Sequence, residues 1–197
     1  MKKYILYLAI IFISNNSFSQ TNFTFLCDTD YFELNGNLLN LRKNKSSYNS
    51  EFELRIWFSN GAVIPHKDYL INLIYNDNKW EGLSYTFLHK NKIKIRCFKI
   101  QNVNFDSLFT ILINNDLLNL PRQGVLKYRA FEEKESDLII MDGTTYRFEL
   151  ITPYCRRRYE YYCPQEYAKH YNYNEYKNVV NILKKLFLII NDDFVVH

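Results

Sequence analysis

The sequence predicts an α+β domain: a largely antiparallel β-sheet of about seven strands packed by two amphipathic helices. Three observations carry this. Between residues 51 and 100, apolar and polar residues alternate in short runs separated by polar turns, the period-two pattern of half-buried antiparallel strands. From Phe105 the period lengthens to that of a helix. Period two then returns over residues 137–162, and the chain closes on a second helical stripe.

Taken in order, residues 28–34 form a candidate first strand, and the polar run 42–50 is an exposed loop. In 51–59, Phe52, Leu54, Ile56 and Phe58 face one way while Glu53, Arg55 and Trp57 face the other. Asn60-Gly61 turns the chain. Strands at 69–75, 80–88 and 92–100 follow, separated by Asn76-Asp77-Asn78 and His89-Lys90-Asn91, which makes a meander. Phe105, Leu108, Phe109 and Leu112 then recur at i, i+3, i+4 and i+7, with Asn104 placed as N-cap and Asp106 in the first turn. That helix ends near Asn114-Asn115, and Pro121 forbids its resumption. Residues 123–136 are charged and read as a long loop or ragged strand. Residues 137–141 and 144–151 flank Asp142-Gly143, a pair suited to the type I′ turn of a hairpin. Residues 156–162 make the next strand, with Arg158 and Glu160 expected across from Arg147 and Glu149 on the solvent face. Pro164 fits the first turn of a helix. In 175–190, Tyr176, Val179, Val180, Leu183, Leu186, Phe187 and Ile190 form one stripe, opposite Lys177, Lys184 and Lys185.

The first nineteen residues carry the grammar of a secretory signal peptide. Lys2-Lys3 gives a basic start, residues 4–13 are unbroken apolar sequence, and Ser17 and Ser19 stand at the positions a signal peptidase reads. The apolar run is too short to span a bilayer, which needs roughly 20 such residues. Cys27 follows Thr24-Phe25-Leu26, a poor site for lipid attachment. The expectation is cleavage after Ser19, a single domain over 20–197, and a periplasmic or extracellular location with no transmembrane segment in the mature chain.

Loss of Lys2 and Lys3 lowers the formal charge from +4 to +2, too little to imply a polyanion partner. The five glycines are scattered, so neither a dinucleotide fingerprint nor a phosphate-binding loop exists and no nucleotide is expected. Seventeen tyrosines and fifteen phenylalanines run through the whole chain, as AT-rich codon usage produces, rather than paving one stretch. Cys27, Cys97, Cys155 and Cys163 permit up to two disulfides in an oxidising compartment. A straight strand over 156–162 would hold Cys155 and Cys163 about 26 Å apart, so that pair cannot bond. Bridges from either to Cys27 or Cys97 stay open, as do free buried thiols.

No zinc-ligand cysteine or histidine spacing occurs, no nucleophile elbow is present, and neighbouring carboxylates lie in polar stretches. No metal, cofactor or catalytic residue is therefore expected. The one local candidate for binding is Arg156, Arg157 and Arg158 beside Tyr159 and Tyr161. Guanidinium planes and phenol rings suit acidic glycans, phosphate or single-stranded nucleic acid. The partner expected for the chain as a whole is a protein or an acidic glycan. The competing reading is a solvated bend followed by a strand.

Ser17-Phe18-Ser19-Gln20, the run from Asp142-Gly143 through Tyr146, Phe148 and Glu149, then Arg158 to Tyr161, and finally Cys163-Pro164 with Tyr167 form a set. The set resembles uncharacterised small secreted or lipid-anchored proteins of Bacteroidetes, particularly flavobacteria, over roughly residues 117–190. Cys163 stands where that pattern carries Asn. The resemblance implies the same α+β fold with a closing amphipathic helix, and supplies no catalytic residues. The sequence expectation is thus a secreted, non-catalytic binding or interaction module. The alternatives are a small secreted hydrolase with a loop-assembled site, and an immunity or inhibitor protein.

Overall fold

A computed structural model describes residues 27, 50–59, 67–89 and 93–190; at His89 and Ile93 only the backbone is described. Six strands make one fully antiparallel sheet: β1 (Phe52–Ser59), β2 (Lys67–Asn76), β3 (Lys79–His89), β4 (Ile93–Lys99), β5 (Thr145–Ile151) and β6 (Arg156–Tyr162). Their spatial order is β4-β3-β2-β1-β5-β6. Among the described residues four helices accompany them: α1 (Phe105–Asn114), α2 (Gln123–Glu132), α3 (Pro164–His170) and α4 (Asn174–Phe187). The fold is α+β, with six described strands where the sequence suggested about seven. The candidate strand at 28–34 lies outside the described residues.

The alternation in β1 decides which face becomes the core. Phe52, Leu54, Ile56 and Phe58 are all buried, and their register partners Leu73, Ile71, Tyr69, Phe148, Leu150 and Tyr146 line the same side. The helices cover this side. Phe109 of α1 meets Phe52 at 5.3 Å between ring centres, and Tyr176 of α4 meets Tyr161 at 6.0 Å. Gly82 lets α1 approach β3: a Cβ there would lie 2.6 Å from the Phe105 ring. Asn104 caps α1 as its position predicts, accepting from the Ser107 N–H at 3.0 Å. The β2–β3 turn runs through Asp77 and Asn78 at φ 49° and 58°, both left-handed, as a type I′ connection requires.

Two expectations are corrected. Residues 123–136 are not a loop or ragged strand: residues 123–132 are α2. Leu126 and Ala130 point into the core, while Gln123 grips the Tyr162 backbone, donating to its carbonyl at 3.0 Å and accepting from its N–H at 2.8 Å. Apolar residues also occupy the outer side of α2, which erases the one-sided stripe that marks a helix in sequence. The hairpin at Asp142-Gly143 does not form either. β5 is already paired on one edge with β1 and on the other with β6, so no edge remains for residues 137–141. The β5 hairpin instead closes at 152–155, where the Thr152 N–H donates to the Cys155 carbonyl at 2.8 Å.

Cys27 is disulfide-bonded to Cys155 across a Cα separation of 5.3 Å, while Cys97 and Cys163 are free thiols. The straight β6 strand keeps Cys155 and Cys163 apart, as its geometry requires. No helix among the described residues is long and apolar enough to cross a membrane.

Candidate functional site

The five residues singled out on β6 do not reach one surface. Strand alternation sends Arg157, Tyr159 and Tyr161 to the helix-covered side and Arg156 and Arg158 to the other. Tyr159 and Tyr161 are 1% and 0% exposed. Their hydroxyls donate to the carbonyls of Leu117, at 2.7 Å, and Pro121. Arg157 donates to the carbonyls of Leu118 and Leu120. These three side chains therefore tie down the segment leaving α1. The expected aromatic and basic patch is split by the sheet itself, and its rings belong to the core.

On the opposite side of the sheet lies a charged cluster. Arg55 holds Glu53 in a two-pronged contact, Nε to Oε1 and Nη2 to Oε2, each 2.8 Å, and both residues are buried. Trp57 donates from its indole N–H to Glu149 at 3.3 Å. Arg147 and Arg158 both donate to Glu160, the first at 2.5 Å. Arg158 and Glu160 do lie across from Arg147 and Glu149, paired as Arg147 with Glu160 and Glu149 with Arg158, although Glu149 is buried rather than on a solvent face. Partial burial alone would raise the Glu160 carboxyl, but the two guanidinium groups outweigh it and hold the group below its ordinary value. Because Arg147 and Arg158 share a carboxylate, much of their charge is spent internally rather than offered to a polyanion.

The only histidine whose side chain is described is His170. Its Nε2 lies 3.1 Å from the Ser136 hydroxyl and 2.9 Å from the Ser136 carbonyl oxygen. A carbonyl only accepts, so Nε2 carries the proton, and the serine oxygen receives rather than gives one. A nucleophile–base pair needs the reverse arrangement. Among the described residues no group of three or more histidine, cysteine, aspartate or glutamate side chains is placed to hold a metal ion.

A different surface stands out once α2 is in place. Leu126 and Ala130 meet the packing needs of this helix, yet Val125, Tyr128 and Phe131 follow its outer side at 54%, 62% and 73% exposure. The same chain run continues through Glu133–Glu135 to 137–141, where Leu138 and Ile140 pack inward while Ile139 and Met141 are 80% and 87% exposed. Five large apolar side chains in solvent within seventeen residues exceed the scattered single exposures of an ordinary surface. Sequence reasoning missed this surface because it read 123–136 as irregular. The signal was present in Val125, Tyr128 and Phe131, three apart on one helical side.

No family model matches this chain, and no curated protein matches it.

Proposed function

We propose that this chain is an exported, non-catalytic protein-interaction module whose recognition surface is the outer side of α2 together with residues 137–141. The observation that carries this reading is the Val125, Tyr128 and Phe131 row, an apolar face left exposed on α2. Aromatic side chains exposed in this way are what protein interfaces bury at their centres. Export is supported by the basic, apolar and small-residue order of Met1 to Ser19. The Cys27–Cys155 disulfide supports it too, since such bonds persist in oxidising compartments. A partner protein fits better than an acidic glycan, because two of the three β6 arginines are committed, Arg157 to backbone carbonyls and Arg158 to Glu160.

The test replaces Phe131 by a photo-crosslinking amino acid in the native host. We expect one defined protein adduct outside the cytoplasm, weakened by Tyr128→Ser, and no adduct from the same group at the exposed Tyr154. The mature chain should begin at Gln20. Equal labelling from both positions, or a retained Met1, would overturn the reading.

A further inference from the structure

The segment 137–141 is held in an unusual way. Tyr171 accepts from the Leu138 N–H at 3.3 Å and donates to the Ser136 carbonyl at 3.0 Å. Tyr167 donates to the Leu138 carbonyl at 3.4 Å and Tyr162 to the Ile140 carbonyl at 3.3 Å. The tethered backbone groups belong to residues 136, 138 and 140. That is the period-two alternation of an extended strand, whose successive residues aim their N–H and C=O groups at opposite edges. Tyrosine hydroxyls thus stand where a neighbouring strand would be on the inner edge. The outer edge belongs to Asp137 and Ile139, whose backbone groups make no hydrogen bond among the described residues, before the chain bends at Met141. A segment tethered along one edge and open along the other is a template for strand addition.

We propose that this outer edge receives an extended peptide of a partner protein as an added β-strand, apolar at alternate positions and carrying lysine or arginine at its ends. The proposal rests on the interaction-module reading and gives it a binding mode. The exposed Ile139 and Met141 side chains set the apolar preference. Charge sets the ends: Glu132, Glu133, Glu135 and Asp137 precede the apolar stretch and Asp142 follows it, all exposed, with only Lys134 of opposite sign among residues 132–142. The same charges oppose a second copy of this chain. Antiparallel self-pairing about Ile139 would set the acidic flank of each copy beside Asp142 of the other, like against like.

The experiment titrates the exported chain with a synthetic peptide of alternating valine and threonine ended by lysines. Two further peptides carry N-methyl groups on one or the other alternate set of amides. Strand addition predicts that one methylated peptide binds about tenfold weaker, from the loss of two or more backbone hydrogen bonds, while the other binds unchanged. It also predicts that the Asp137 and Ile139 amides become protected from hydrogen exchange, and that glutamate-ended peptide binds more weakly. Equal binding by both methylated peptides, or no binding at millimolar peptide, overturns strand addition. The interaction-module reading survives either result if the Phe131 adduct persists. Protection of the Ile139 amide without peptide also overturns the proposal: in a dimer it assigns the edge to a second copy, and in a monomer to the chain itself.

Discussion

Arg55 and Glu53 are two residues apart on β1, and their side chains share the side of the sheet away from the core. A carboxylate 1% exposed is tolerable only because a guanidinium meets both its oxygens. Arg55→Met should therefore lower the unfolding free energy by about 3–5 kcal/mol, since it strands a buried charge. Adding Glu53→Gln should recover a large part of that loss. Urea denaturation of the two variants checks this, and a double variant no better than the single one would contradict it. The same scale explains the fate of the β6 residues. Arginine and tyrosine are amphipathic, so either can serve a binding patch or reach out of a core to a backbone carbonyl. Residue type alone does not choose between these uses. Unsatisfied carbonyls of Leu117, Leu118, Leu120 and Pro121 on the neighbouring segment made the choice.

Elements with one clean period were legible: β1 to β4, α1, β6 and α4 all appear within a few residues of where their patterns end. α2 was not, because its apolar residues occupy both sides and only the inner ones report packing. The Asp142-Gly143 pair misled for another reason. Gly143 is required by a close approach rather than by a hairpin, since a Cβ there would stand 1.8 Å from the Cys163 sulfur. Cys163 itself lies at φ 44° before Pro164, a left-handed position where asparagine is better tolerated. Gly143→Ala should cost about 1–3 kcal/mol through overpacking. In the Cys163→Ala background the same change should cost much less. Thermal melting of the four members of the cycle measures the coupling, and additive effects would show that the two residues do not press on each other.

Across the whole molecule, the tyrosines act as core residues with polar tips. Tyr167, Tyr171 and Tyr176 stack between α3 and α4, while Tyr146, Tyr159 and Tyr161 fill the space between sheet and helices. Burial pushes the hydroxyls of Tyr146, Tyr159, Tyr161 and Tyr176 up from the ordinary tyrosine value of 10.0. Tyr173, bonded to Glu133, is pushed up to about 12, first by that hydrogen bond. Below the unfolded value both states stay protonated and the contribution to stability is complete. As pH rises past it the unfolded chain ionises first, so stability falls towards the folded values. Urea midpoints should decline steeply from about pH 10 towards pH 12, with tyrosinate absorbance appearing together with unfolding. Ionisation of the buried rings before any loss of structure would refute this.

Local periodicity by itself determined the fold class, the face of each regular strand and the cap of α1, because side-chain spacing fixes which residues can share a side. Only the tertiary structure decided three things. It closed Cys27 onto Cys155. It drew Tyr159 and Tyr161 inward. It left Val125, Tyr128 and Phe131 outside. Each depends on which segments become neighbours, and a residue with both an apolar body and a polar tip takes its role from that neighbour rather than from its own chemistry.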